Sequence, residues 1–208
     1  MTDPTATRPD RRPGGRTARI RAQVLDAVRA ELTEGGHEGL TMEGVATRAG
    51  VHRATVYRRW RDVGGLLVDV IDAAGETDWR PPDTGSLHGD LTALNEEIQE
   101  SLVVRPSLAV ALMAASFHSE QAARAQTQLW AGRYAQCEIL VDRAVLRGEL
   151  PRQDTDARGL LIAATAPLYH QLMLLRAEPD PRLPERAAAA AVLAAGAGAF
   201  AVRREGDA

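Results

Sequence analysis

From residue 16 onward the apolar side chains recur with the period of an α-helix. Ile20, Val24, Leu25, Val28 and Leu32 follow the i, i+4, i+5, i+8 spacing, and Gly35 and Gly36 end the run. Thr41 predicts a cap for a short helix whose inward positions are Met42, Val45, Ala46 and Ala49, and Gly50 supplies a left-handed residue for a sharp turn. A second short helix follows at once. It turns Val56 and Trp60 inward and leaves Arg53, Thr55, Tyr57, Arg58 and Arg59 on its other faces. Asp62 stands where it caps a fourth helix, with Leu66, Leu67, Val70, Ile71 and Ala74 as the buried stripe and Gly75 as the stop.

Pro81, Pro82, Asp83 and Gly85 mark a loop that divides a head, residues 16–76, from a body, residues 77–208. In the body Leu87, Leu91, Leu94, Ile98 and Leu102 form a helical stripe, with Ser86 as its cap and Pro106 as its break. The segment from Leu108 to Phe117 is apolar nearly all round, which predicts burial on most sides. A long helix is expected over 119–147, with Trp130, Tyr134, Cys137, Val141 and Val145 inward and Gly148 ending it. Two more helices are expected, one over 154–177 that Pro167 should kink and one over 184–204 rich in Ala. No stretch alternates with the period of a strand, so the fold class is all-α.

Charge adds a polarity to this pattern. Every basic side chain is Arg, and residues 1–61 hold 12 of them against 7 acids, whereas residues 62–208 hold 13 against 21. A basic head on an acidic body points to a polyanion as the partner of the head. The first fifteen residues contain three prolines and no apolar period, and are expected to form a disordered basic arm. Arg8, Arg11, Arg12 and Arg16 would either reach the DNA minor groove or phosphates, or belong to an inert tail. A lone Cys137 makes no internal disulfide. With no apolar leader, and an Ala-rich run at 187–202 shorter than the roughly 20 residues of a membrane span, the expectation is a cytoplasmic protein without membrane contact.

Signs of catalysis are missing. His37, His52, His88, His118 and His170 are scattered, with no i, i+4 pair of the kind that holds zinc on a helix. GSLHG at residues 85–89 places its Ser wrongly for a nucleophile elbow, and no glycine-rich loop cradles a phosphate. Cys137 has no neighbour in sequence that would lower its pKa, so it reads as a small core residue. The expectation is therefore no catalytic residue, no metal and no cofactor.

The informative segment is TMEGVATRAGVHRATVYRRW, residues 41–60. Two short helices joined at a glycine corner form a unit in which the second helix enters the DNA major groove while the first crosses the backbone. Arg53 can fork onto guanine, Thr55 can serve a base edge or phosphate, and Tyr57, Arg58 and Arg59 suit phosphate oxygens. The candidate DNA-facing set is Thr41, Met42, His52, Arg53, Ala54, Thr55, Tyr57, Arg58 and Arg59.

The stretch from Thr17 to Asp72, and above all GHEGLTMEGVATRAGVHRATVYRRW, resembles the DNA-binding domain of TetR-type transcriptional repressors. The tail resembles a subgroup of that family through DTGSLHGDL at 83–91, AVLRGELP at 144–151 and APLYHQLML at 166–174. The resemblance implies a homodimeric repressor that reads a palindromic operator in double-stranded DNA and is released by a small-molecule effector in the body. It places Met113, Phe117, His118, Trp130, Tyr134, Tyr169, His170 and Met173 around the effector. It also assigns dimerisation to the last two helices, through the apolar face Leu160, Leu161, Ala164, Leu168, Leu172 and Leu175, for which packing within one chain is the other reading.

Two positions depart from the family pattern. Val63 stands where a phosphate-binding Lys is usual, with Arg61 as a possible substitute, and His52 replaces a common capping Ser. Gly64 and Gly65 are expected to soften the start of the fourth helix, at up to ~1 kcal/mol each relative to Ala. A helical enzyme or carrier with a vestigial head, and a helical module that docks an acidic protein, are the other classes the sequence leaves open.

Overall fold

A computed structural model of the chain describes residues 14–76, 78–150 and 155–202. Arg8, Arg11 and Arg12 of the expected arm lie outside the described residues. Side-chain caps fix where most helices start. Thr41 Oγ1 accepts the Gly44 amide at 3.0 Å and the Asp62 carboxylate accepts that of Gly65 at 2.8 Å. Ser86, Ser107, Ser119 and Asp156 do the same for later helices. Each cap satisfies one of the amides that a helix N-terminus leaves without a partner.

The resulting order is α1 (Gly14–Gly39), α2 (Met42–Arg48), α3 (Arg53–Trp60), α4 (Val63–Gly75), α5 (Leu87–Val103), α6 (Leu108–Ser116), α7 (Glu120–Arg147), α8 (Ala157–Tyr169) and α9 (Leu183–Gly196). Helix α1 is broken at Gly36, whose φ of 67° leaves the helical region. The β-structure among the described residues is one isolated bridge between Thr155 and Ala201. Two apolar cores form. The first joins α1–α4 to Leu112 and Ala115 of α6 and to Ala122 and Ala125 of α7. The second joins α5, the C-terminal half of α7, α8 and α9.

Four expectations need correction. Helix α6 is less enclosed than expected: packed against α1, α4, α5 and α7, it fully buries only Leu112 and Ala115, most of its other residues are half-buried, and Phe117, just past its end, is 85% exposed. The helix expected over 154–177 stops early. Pro167 has no amide for the carbonyl one turn back, and from His170 to Leu174 the chain opens into a π turn, closed by the Leu175 amide on the His170 carbonyl at 3.0 Å. Helix α9 ends at Gly196 instead of residue 204, because Gly198 turns left-handed (φ 79°) and the chain folds back to let the Asp156 amide bond the Phe200 carbonyl at 2.7 Å. Finally, Leu160, Leu161, Ala164, Leu168 and Leu172 are buried within their own protomer, so the face assigned to dimerisation is interior except at Leu175, which is exposed.

Candidate DNA-binding surface and ligand cavity

The α2–α3 unit is built on its corner. Gly50 takes φ 64°, and the Val51 amide bonds the Ala46 carbonyl at 3.0 Å, which sets α3 at a fixed angle to α2. Val45, Ala46, Val56 and Trp60 fill the core beneath it. His52, Arg53, Ala54, Tyr57, Arg58 and Arg59 are left exposed, with Thr41 at the start of α2 and Thr55 half-buried. His52 makes no side-chain cap, so α3 begins with its first amides open on the exposed side. Met42 is only 5% exposed and belongs to the core; its side chain leaves the DNA-facing set because it fills the space under α2.

Part of the charge on this surface is internally paired. Arg53 Nη2 lies 2.5 Å from Glu43 Oε1, and the Tyr57 hydroxyl donates to the same oxygen at 2.9 Å. The Arg53 guanidinium also rests over the Tyr57 ring, 5.2 Å from its centre. The Tyr57 hydrogen bond, aided by the Arg53 charge, holds the Glu43 carboxyl below the usual carboxylate range. One carboxylate thus occupies two of the donors suited to nucleic acid.

Two clasps hold the unit in place. Arg48 Nε binds Glu31 at 2.7 Å and its Nη1 binds Glu34 at 2.8 Å, tying α2 to α1. Asp69 of α4 accepts from Arg21 Nε of α1 and from Trp60 Nε1 of α3, both at 2.8 Å. Burial pushes the Asp69 carboxyl up, but the hydrogen bonds from Arg21 and Trp60 outweigh it and leave it lowered.

A cavity of about 410 Å³ opens between α4, α5, α6, α7 and α8. Of the eight residues assigned to it, Met113, Trp130, Tyr134 and Tyr169 line it. Trp130 meets Tyr169 edge-on at 5.6 Å and lies 6.2 Å from Tyr134. Phe117, His118, His170 and Met173 do not line it. Phe117 and His118 sit past the end of α6, and the π turn carries His170 out to solvent and Met173 to another surface groove. Burial pushes the Cys137 thiol, on the cavity wall, up to about 11, consistent with an inert packing residue. Among the described residues no group of three or more His, Cys, Asp or Glu is placed to hold a metal, and no single helix is long and apolar enough to cross a membrane.

Comparison with known proteins agrees with this geometry. The family model described as "Bacterial regulatory proteins, tetR family" matches residues 24–70, and that described as "Tetracyclin repressor-like, C-terminal domain" matches residues 81–191. The HTH-type transcriptional regulator AqdR of Rhodococcus erythropolis is 32% identical over 82% of this chain and 81% of its own. The chain belongs to the TetR family. As a member of that family it is a DNA-binding transcriptional regulator. The DNA-binding transcriptional repressor TetR of Mycobacteroides abscessus is 31% identical over 74% of this chain and 82% of its own. The crystal structure of the TetR family transcription regulator SCO0332 superposes with a TM-score of 0.63 at 28% identity, covering 83% of this chain and 96% of that one.

In this TetR-family regulator the two glycines at the start of α4 have different surroundings. Val63 packs against the first core, while Arg61 stays exposed in a positive-φ turn (φ 51°) just before it. A Cβ on Gly65 would come within 2.5 Å of the Trp60 carbonyl oxygen, so that glycine permits a close approach between α3 and α4. A Cβ on Gly64 would meet only the movable end of Gln121 at 2.5 Å and the Asp62 carboxylate at 3.3 Å. Gly65→Ala is therefore expected to lower the melting temperature, whereas Gly64→Ala should hold or raise it by stiffening the helix, worth up to about 1 kcal/mol. Equal melting shifts for the two variants would contradict this assignment.

Sequence reasoning missed other wall residues of the cavity. Ile71 and Ala74 come from α4, and Trp79 comes from the connecting loop. Trp79 Nε1 donates to Glu97 at 2.7 Å, and the Arg133 guanidinium lies over its ring at 4.8 Å. Arg133 Nη2 also donates to the Ala74 carbonyl at 2.9 Å, in the last turn of α4. A loop tryptophan beside a proline pair was the one signal available for Trp79, since it has no helical period to place it.

Proposed function

We propose that this regulator is a homodimeric repressor whose two heads, each within residues 16–76, read the half-sites of a palindromic operator and let go when an apolar effector fills the cavity. The observation that carries the reading is the double duty of α4. Its Ile71 and Ala74 wall the cavity, and its Asp69 holds Trp60 of the DNA-facing helix. An effector that displaces α4 moves α3 with it. Release then requires the effector to bind more tightly to the conformation whose heads misfit the operator. The cavity volume of about 410 Å³ falls in the range of small-molecule sites. The repressor of Mycobacteroides abscessus named above supports the sign of the regulation.

The dimer face of this reading lies on the outer sides of α8 and α9. Ile162 (42% exposed) and Leu193 (77% exposed) stand there among the exposed small residues Ala163, Ala166, Ala189 and Ala190, which let a second helix pair approach closely. Leu193→Glu is expected to convert a sedimenting dimer to a monomer and to abolish stable operator binding, with helical content unchanged by circular dichroism. A variant that stays dimeric would place the interface elsewhere. The function itself is tested by a mobility shift and footprint on DNA upstream of the protein's own gene, at physiological salt with competitor DNA. A two-fold symmetric footprint is expected; absence of any specific shift would remove the repressor reading.

A further inference from the structure

The cavity wall is mostly apolar and aromatic, and several of its polar groups are paired within the protein. Thr165 donates to the Leu161 carbonyl at 3.0 Å, Ser101 to the Ile98 carbonyl at 2.7 Å, and Glu97 receives the Trp79 indole. Gln126 of α7 is different. Its side chain lines the cavity, and its Oε1 is sealed from solvent with no hydrogen-bond partner. The other two buried amide oxygens without partners, on Asn95 and Gln99, lie outside the cavity lining. Both also belong to side chains anchored through their nitrogens: Asn95 to the Ala164 and Pro184 carbonyls at 3.1 Å, Gln99 to the Asp180 carbonyl at 3.3 Å. An unpaired buried acceptor carries a desolvation penalty that a ligand donor would remove.

We propose that Gln126 is the polar anchor of the effector site, and that the effector class is a planar aromatic molecule bearing one hydrogen-bond donor, an O–H or N–H, aimed at Gln126 Oε1. This rests on the cavity reading above and adds to it the chemistry of the occupant. Trp130, Tyr134 and Tyr169 supply the faces and edges for a flat ring system, and the bond to Gln126 fixes how that ring is oriented. Discrimination is expected to favour donors over isosteres without one, because a site built around a buried polar atom rejects the analogue that leaves it unpaired. A charged effector is disfavoured at that position, since the amide neutralises no charge.

The test titrates the full-length protein with two probes of nearly equal shape, 2-naphthol and 2-methoxynaphthalene, and reads binding by calorimetry with no DNA present. The ether accepts a hydrogen bond but donates none. On the wild type, 2-naphthol is expected to bind about tenfold tighter than the ether. In Gln126→Met, an unbranched apolar replacement, the gap should close, chiefly through loss of 2-naphthol affinity; Gln126→Leu serves as the second substitution. Equal affinities on the wild type, or a gap that survives in the folded variants, overturn the anchor role and leave the cavity as a purely apolar effector site. If neither probe binds the wild type, the cavity reading itself fails and the anchor with it. The wild-type comparison needs no variant, so misfolding of a substituted chain does not protect the proposal.

Discussion

Arg53→Ala is expected to flatten the regulator's preference for its operator by on the order of tenfold or more per half-site, with binding to random DNA at the same salt almost unchanged. Arg53 opens α3, at the end of the helix that meets base edges in a helix-turn-helix, and its exposed guanidinium has the fork that guanine O6 and N7 accept. Competition mobility shifts against operators altered at one base pair locate the position it reads. Uniform weakening on every sequence, with a salt slope shallower by about one, would reassign Arg53 to phosphate. The contact with Glu43 makes a paired result available. Free of DNA, Arg53 and Tyr57 both engage the Glu43 carboxylate, so nucleic acid must displace it. Glu43→Gln should raise affinity for any DNA and lower the ratio of specific to nonspecific binding. That carboxylate acts as an intramolecular competitor that only a well-matched site outbids, a repulsive element of the kind specificity often requires.

Asp69→Asn is expected to destabilise the protein by about 2 kcal/mol at pH 7, because it weakens a partly buried clasp between three helices and strips the charge from the Arg21 pairing. The pH dependence follows from the lowered carboxyl. A carboxylate held below its unfolded-chain value, about 4, stabilises the fold above that pH, and the contribution disappears as pH falls through the folded value. Urea midpoints of the wild type and the variant should therefore differ at pH 7 and draw together as the pH falls below about 4. A gap that stays constant with pH would mean that the Asp69 charge is not what holds α4 to α1 and α3. Since Trp60 Nε1 donates into the same carboxylate, its fluorescence should report the loss of the clasp in the same titration.

The head was legible in the sequence to the level of single residues. Thr41, Gly50, Val56, Trp60 and Asp62 each combine a residue type with a position that has one local solution: a cap, a left-handed corner, an inward face. The body was legible as helices but not as a site. Helical spacing reveals which side of α7 turns inward, and so found Trp130 and Tyr134, yet it does not say whether that side meets another helix or an open space. Phe117 and His118, which the resemblance puts around the effector, lie past the end of α6 beside a different groove, and Gln126, a polar residue on an inner face of α7, went unnoticed. The ends of α8 and α9 were missed for a related reason. A run of Leu or Ala continues to look helical after a π turn or a left-handed glycine has already redirected the backbone. Of the dimer reading only the choice of face is overturned: α8 carries apolar residues on two sides, and period alone does not say which side a second chain covers.

The first core, which α1–α4 complete only with Leu112, Ala115, Ala122 and Ala125, has a bearing on how operator specificity can be transplanted. A chimera that splices the first 76 residues onto the body of a relative would meet foreign side chains at those four positions. The graft would then inherit the recognition helix without the floor on which it stands. Re-targeting this regulator is better done by exchanging the exposed residues of α3, or by moving α6 and the beginning of α7 along with the segment that touches DNA.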